Sequence, residues 1–479
     1  MSTRRTFLKS SAAAGALVLN PYIWTSSYVK AQDANSKRTI GSIGVGGKRG
    51  RYSRGGSVAR QAAKLGRTIA VCDVDSQHNE QFNENEMFGG KLNMYTDYRE
   101  MLEKDKPDVV TIGTPDHWHV PIAIAALRSG ADVYCEKPLT LTIQEGIEVR
   151  KVVEETGRVF QVGTQQRSEM DLRFLKAIAI VQSGRLGDKV NAHVAIGGAP
   201  NCKEPFPTTP VPSDFDWRMW LGPAPEADYC EQRRRMFRWY FEYSGGKMTD
   251  WGAHHIDIAQ WALGKGDTGP VTVNAKGKFT PMVPANLNWS AFLNGDVKIP
   301  NVYNTATEFD IDLTFKDGSI LNVNHHYKRD DGVDFGNGIL FEGEKGRIFV
   351  NRGKLQGGAV DAIYGPEVEV EENGKKKKVR KGGDEKAQAE MTAAIEKLYN
   401  GKERKGHMNN FFECMEDRTQ PVSDVVSHHR TMTSCHLCNI GLMLGRELKW
   451  DPDAENFGSD DQANALMTRK SREVAMANA

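Results

Sequence analysis

The sequence predicts an α/β chain of two domains: an N-terminal doubly wound parallel sheet, then an α+β domain with a largely antiparallel open sheet. Three observations carry that expectation. An apolar run, Arg38 to Ile43, leads into a glycine-rich turn and a helix-like segment, the opening of a βαβ unit. Strand-like and helix-like runs then alternate to about residue 165, and parallel neighbours require such crossovers. Beyond residue 166 the alternation gives way to longer loops and scattered strands. The expected layout is 37–165 for the first domain, 166–450 for the second, and 451–479 as a surface-running tail.

With 479 residues, 39% of them hydrophobic, the chain can bury cores of that size. Its 63 Lys plus Arg balance 62 Asp plus Glu, which leaves no excess field for nucleic acid or an anionic membrane. A small neutral molecule is the expected partner. At the N-terminus, Arg4-Arg5-Thr6-Phe7-Leu8-Lys9, the apolar run Ala12 to Leu19 and Val29-Lys30-Ala31 resemble a twin-arginine export signal over 1–31, cut after Ala31. The run is too short for an ordinary membrane span, so the mature protein is expected to be periplasmic or secreted, with no span after signal removal. That route carries folded proteins, and a cofactor already seated fits it. The 7 cysteines are odd in number and dispersed, which does not suggest a disulfide framework.

In the first domain Gly44, Gly46 and Gly47 form a turn that lets pyrophosphate approach backbone N–H groups at a helix start, as in a Rossmann domain. The third glycine of the strict fingerprint would stand at 49, which is Arg49, so Gly50, Gly55 or Gly56 is expected to serve across an inserted loop. Asp73 ends the next strand, where such a unit needs an acid for the adenosine ribose. NAD is the expected cofactor because a 2′-phosphate would meet this carboxylate and Val74 to His78 brings no Arg or Lys. Arg49, Arg51 or Arg54 folding over would reverse the preference to NADP.

A continuous apolar run, Val109 to Ile112, reads as a central strand broken by Thr114-Pro115-Asp116-His117-Trp118-His119. The strand Asp132 to Glu136 ends in Glu136-Lys137-Pro138, which sets an ammonium where open α/β sheets bind ligands. Lys137 there can donate to an oxygen gaining negative charge. His117 and His119 at i, i+2 have no companion acid or cysteine placed by sequence, and no metal is expected.

The second chemical stretch is Gly245 to Leu263. On one helix Asp250, His254, Asp257 and Trp261 share a face, and a carboxylate one turn from an imidazole can fix its tautomer and raise its basicity. The plain alternative is an acid at a helix start beside a satisfied core histidine. Arg233 to Tyr243 is rich in Arg and Tyr, but the sequence does not select substrate contacts among them.

These motifs resemble the glucose-fructose oxidoreductase, inositol dehydrogenase and MocA (Gfo/Idh/MocA) family over most of the mature chain. The resemblance rests on the glycine turn, Thr114-Pro115-Asp116 with His119, Glu136-Lys137-Pro138, Gly163 to Arg167, and Asp250-x-x-x-His254. It implies that Thr114, Pro115, His119, Glu136 and Lys137 line the nicotinamide pocket and that Lys137 contacts the substrate hydroxyl. It implies catalytic roles for Lys137, Asp250 and His254, with Arg167, Asp250 and His254 touching substrate. The implied activity is NAD(P)-dependent oxidation or reduction at a secondary hydroxyl or ketone of a sugar, glycoside or cyclitol, in a homo-oligomer (dimer or tetramer). Two rivals are an enzyme with tightly held, recycled cofactor (a sugar–sugar oxidoreductase or NAD-dependent glycosidase) and a non-catalytic sugar-binding protein on the same scaffold.

Three further segments have plainer readings. Trp217 and Trp220 are expected to pack rather than stack on sugar. Glu308 to Phe315 and Ile320 to Asn324, and the halves of Glu367 to Lys381 about Asn373-Gly374, are expected to form hairpins. Cys435, His436 and Cys438 continue a helical core pattern, which favours packing over a zinc or redox site.

Overall fold

The first domain's sheet follows from where its apolar runs stop and its caps begin. Strands β1 (Thr39–Ile43), β2 (Arg67–Cys72), β3 (Asn93–Tyr95), β4 (Val109–Ile112), β5 (Asp132–Glu136) and β6 (Phe160–Gly163) are joined by helices α1 (Arg54–Ala63), α2 (Ser76–Asn83), α3 (Tyr98–Lys104), α4 (His119–Ser129) and α5 (Ile143–Thr156). Asp75, Asp97 and Thr142 cap α2, α3 and α5 by accepting from the N–H of Gln77, Arg99 and Glu145. Gly130 and Gly157, in the left-handed region, end α4 and α5. The sheet order is β3-β2-β1-β4-β5-β6 with every pairing parallel, and the order reverses between β1 and β4. Ligands in such sheets bind at that crevice, beyond the strands' carboxyl ends. Val109, Val110 and Ile112 of β4 are wholly buried, as a central strand covered on both faces requires.

This is a computed structural model in which residues 37–47, 53–372 and 375–472 are described. The paired-arginine segment, Arg49, Gly50, Arg51, the Asn373-Gly374 turn and residues 473–479 lie outside the described residues. The described residues from Lys37 onward belong to one compact unit.

The second sheet uses β7 (Val190–Ala195), β8 (Thr272–Lys278), β9 (Glu308–Thr314), β10 (Ile320–Asn324), β13 (Gly338–Gly343), β14 (Gly346–Val350), β15 (Leu355–Gln356) and β18 (Leu448–Lys449). Two short pairs, β11 (Tyr327–Lys328) with β12 (Asp334–Phe335) and β16 (Glu367–Glu372) with β17 (Lys375–Arg380), stand apart. The order is β15-β14-β13-β7-β10-β9-β8-β18, antiparallel throughout except where β10 runs parallel to β7. β9 and β10 form the expected hairpin across Asp317-Gly318. In the charged hairpin Glu369 faces Lys378 and Glu371 faces Lys376, the cross-strand pairing of opposite charges that keeps such a ribbon together.

One face of this sheet carries α6 (Arg173–Gln182), α8 (Gly252–Ala262) and α9 (Val425–Leu444), while α7 (Gly246–Asp250) packs on α8 and α9. The single helix expected through Asp250 and His254 is broken at Trp251 into α7 and α8. Gly252 lies against α9, where a Cβ would sit 3.0 Å from the Cys435 sulfur. Cys435 and Cys438 are wholly buried in the main core, and the His436 ring nitrogen Nε2 lies 2.9 Å from Thr140 Oγ1. Trp217 and Trp220 stack on each other, 4.7 Å between centroids, inside a cluster with Phe215, Tyr229 and Tyr243.

Candidate active site

The glycine turn takes its shape from φ angles of 73° at Gly44 and 63° at Gly46, values that suit glycine and strain other residues. Gly55, in the first turn of α1, has no room for a side chain, because a Cβ would overlap the Gly44 carbonyl. It therefore supplies the close helix–strand packing that the fingerprint's third glycine serves. Gly47 differs from expectation: it is outside the cavity lining, and a Cβ there would meet His78 and Gln81 of α2. Its smallness lets the turn pack closely against α2.

Asp73 follows β2 and is tied to this turn. Its Oδ2 accepts from Gly46 N at 3.0 Å and its Oδ1 from Asp75 N at 3.0 Å, with His78 Nδ1 at 3.3 Å. Burial pushes the carboxyl up, but His78 and the two amides outweigh it and hold Asp73 below the usual range. Arg54, a candidate partner for a 2′-phosphate, instead donates through Nε to Glu136 Oε1 at 3.0 Å.

The Thr-Pro loop and the Glu-Lys-Pro turn are stapled by His119, whose ring nitrogens lie 2.7 Å from Pro138 O and 2.9 Å from Thr114 O. His117 reaches Trp220 O at 2.8 Å, so the two imidazoles serve separate carbonyls. Among the described residues no group of three His, Cys, Asp or Glu is placed to hold a metal. Thr114 Oγ1 is buried without a partner, a hydroxyl available to a bound group. Glu136 also accepts from Gln165 Nε2 at 2.9 Å, and Gly163 of β6 leaves room for its carboxylate.

Lys137 Nζ donates to Asp250 Oδ1 at 2.7 Å and to the Asp250 carbonyl at 2.9 Å. An ammonium carries three protons, so one is left for a ligand. Asp250 Oδ1 also lies 3.1 Å from Arg238 Nε. Burial pushes the Asp250 carboxyl up, but Arg238 and Lys137 overcome this and hold it well below the usual carboxylate range. His254 is 4% exposed, and its Nδ1 is buried without a partner. Burial first, then the charges of Lys137 and Arg352, push its basicity well below the ordinary imidazole value, so the ring is neutral.

Two expectations are corrected here. Among the described residues Asp250 makes no hydrogen bond to His254. The helix breaks between them and the carboxylate is engaged by Lys137 and Arg238. Arg167 is a buried structural residue rather than a substrate contact. Its fork meets Asp257 of α8 at 2.8 and 2.5 Å, and Nη1 donates to Val422 O at 2.7 Å and Ser427 Oγ at 3.1 Å. It is absent from the cavity lining.

The other expected residues share one cavity of about 590 Å³, running from Gly44, Gly46 and Asp73 past Thr114, Pro115, His119 and Glu136 to Lys137, Asp250 and His254. Size and shape suit a cofactor with a small substrate beside it. Sequence reasoning missed several of its walls. From the Arg- and Tyr-rich stretch, Arg234, Phe237, Arg238 and Trp239 line the cavity, whereas Arg233, Tyr240 and Tyr243 are buried in packing. Arg352 follows β14 and had no sequence signal at all.

A strap from the second domain covers the groove. Asp214 O accepts from Ser76 N at 3.1 Å, Asp216 N donates to Val74 O at 3.0 Å, and Arg234 pairs with Asp75. Further along, Trp118 Nε1 donates to the carbonyls of Met219 and Trp220, each at 3.0 Å. The strap thus joins the ends of β2 and β4 across the crevice.

Comparison with known proteins gives the same architecture. Residues 38–164 match the NAD-binding Rossmann domain of the Gfo/Idh/MocA oxidoreductase family, and residues 179–292 and 370–476 match that family's C-terminal alpha/beta domain. The chain is 24% identical to the D-glucoside 3-dehydrogenase of Escherichia coli over 265 residues, 53% of this chain and 66% of that one. It is 28% identical to the inositol 2-dehydrogenase of Azotobacter vinelandii over 157 residues, 33% of this chain and 44% of that one. A glycosyl hydrolase family 109 protein of Shewanella baltica is 32% identical over 179 residues, 32% of this chain and 37% of that one. The chain thus spans between 37% and 66% of the length of these curated relatives. In fold it is similar to the WlbA dehydrogenase of Chromobacterium violaceum, solved with NADH and UDP-GlcNAcA (TM-score 0.55, 16% identity, 88% of this chain and 97% of that one). It is also similar to the scyllo-inositol dehydrogenase of Lactobacillus casei, solved with NAD(H) and scyllo-inositol (TM-score 0.52, 15% identity, 86% and 99%).

Proposed function

The chain belongs to the Gfo/Idh/MocA oxidoreductase family, and on that premise we propose that it is an exported NAD-dependent oxidoreductase acting on a secondary hydroxyl or ketone of a sugar, glycoside or cyclitol. The observation that carries this reading is the single cavity in which the glycine turn and Asp73 open onto Lys137, Asp250 and His254. The positive-φ glycines and the unpartnered Thr114 hydroxyl fit a dinucleotide. Export through the twin-arginine route rests on residues 4–31, and assembly as a dimer or tetramer is proposed with it.

NAD, when bound, supplies the hydride acceptor. Lys137 uses its remaining proton to hold the substrate hydroxyl and stabilise the oxygen as negative charge develops. Asp250 fixes the ammonium in place with its carboxylate and its carbonyl. His254, held neutral, takes the hydroxyl proton. Lys137→Ala or His254→Ala should lower turnover roughly 10² to 10⁴-fold while the cofactor stays bound; near-normal turnover in both variants would sink the proposal.

The strap over the groove favours a second reading, in which the cofactor is retained and recycled between two half-reactions. Consumption of substrate without net NADH would support it, and stoichiometric NADH release would exclude it.

A further inference from the structure

The cations lining the cavity fall into two groups. Arg54 is paired with Glu136, Arg234 with Asp75, and Lys137 and Arg238 with Asp250. Lys247 and Arg352 line the same cavity beside His254, and among the described residues no carboxylate stands within ion-pair distance of either. They come from different elements, Lys247 from α7 and Arg352 from the segment after β14, yet both rest on one indole. Lys247 Nζ is 5.8 Å from the Trp251 ring and 5.8 Å from that of Trp239, and Arg352 Cζ is 4.6 Å from Trp251. The Arg352 guanidinium reaches Gln166 Oε1, 3.4 Å from both Nε and Nη2, a weak engagement for a group with five donors.

A half-buried cation that only shares a distant carboxylate with other cations is costly unless a ligand supplies a closer counter-charge. Lys137, Arg238, Lys247 and Arg352 surround Asp250 at this end; the other carboxylates there are Glu136, which Arg54 engages, Asp116, which accepts from Ser244, and Glu169, which faces Arg54 and Arg352, so the cations, Arg54 included, outnumber the acids by one. Burial lowers the proton affinity of both Lys247 and Arg352, as expected for cations awaiting a partner. The cofactor's own pyrophosphate belongs at the glycine turn, at the cavity's other end. The balanced charge of the whole chain conceals this local excess.

We propose that Lys247 and Arg352 form an oxyanion subsite, so that the substrate is a carbohydrate bearing a carboxylate or phosphate rather than a neutral sugar or cyclitol. This rests on the oxidoreductase reading and narrows its substrate class. The indole of Trp239, which lines the cavity, offers an apolar face to the sugar ring, and the guanidinium fork suits a planar carboxylate.

The test uses the holoenzyme and matched hexuronates, hexose 6-phosphates and parent hexoses in the gluco, galacto and manno configurations. Both cofactor reduction and binding, by quenching of tryptophan fluorescence, are followed. One acidic series should exceed its neutral parents in kcat/KM by on the order of 10²-fold, the effect of two charge-assisted contacts. In the Lys247→Gln/Arg352→Gln variant that ratio should fall below about tenfold. Which acidic series wins separates carboxylate from phosphate. Neutral hexoses reacting as well as both acids, binding of neither acid, or a preference that survives the double variant would overturn the subsite. Acid binding that the double variant abolishes, without cofactor reduction by any sugar, would uphold the subsite and refute the oxidoreductase reading instead.

Discussion

At the residue scale the instructive group is Asp250. Sequence spacing sets it one turn from His254 and suggests that it tunes the imidazole. In the fold its carboxylate is held between Lys137 at 2.7 Å and Arg238 at 3.1 Å. The two roles predict different couplings. If Asp250 acts by positioning Lys137, adding Asp250→Asn to Lys137→Ala should cost little further turnover, while adding it to His254→Ala should cost roughly another tenfold or more. The opposite pattern would restore the sequence-based role. Arg167 gives the complementary test. With its side chain 4% exposed and forked onto a wholly buried Asp257, Arg167→Ala should destabilise the fold by about 3–5 kcal/mol. Denaturant unfolding would register that loss, and a change in KM at unaltered stability would contradict the structural role. A buried ion pair and a substrate clamp use the same residue types, so sequence alone could not separate them.

At the scale of elements, legibility followed chain locality. β1, the glycine turn and the Glu136-Lys137-Pro138 turn after β5 each involve neighbours in sequence and were readable as patterns. So was the β9–β10 hairpin, because Asp317-Gly318 sits between alternating runs. The strap of residues 214–222 was not readable, since its anchors on Val74, Ser76 and Trp118 lie roughly a hundred residues or more away in sequence. It also yields a prediction. The Arg234–Asp75 ion pair, with side chains 6% and 0% exposed, fastens the second domain over the adenosine end of the groove. Arg234→Ala should speed cofactor release on the order of tenfold or more, measured by displacement of bound nucleotide in stopped flow, because one partner of a buried pair is lost. An unchanged release rate would mean that the strap packs against the domain without retaining the cofactor.

For the whole molecule, the buried histidines set the acid limit. Burial depresses His117, His255, His407 and His428 from 6.5 to about 4, and His436 to about 3. Their unfolded forms bind protons near 6.5 while the folded forms do not, so each contributes stability that is full above that pH and lost as pH falls toward the folded value. Shifts of that size are worth about 3–5 kcal/mol per group. Glu145, raised by burial to about 7, works in the opposite sense between 4.5 and 7, and Asp116 and Glu169, also raised by burial, act the same way, but these are three acids against five histidines. Thermal melts should therefore show Tm falling steeply between pH 6.5 and 4.5, with net proton uptake on unfolding; a flat profile would contradict the burial of these rings.

On the proposed function, one cavity holds a dinucleotide at the glycine turn and presents it to Lys137 and His254. The most direct measurement is the mass and absorbance spectrum of nucleotide released from the purified mature protein, before and after exposure to sugars. NAD that becomes reduced on addition of a sugar, and stays oxidised in Lys137→Ala, is the predicted result. A protein that neither carries nor takes up nucleotide would contradict the account at its base.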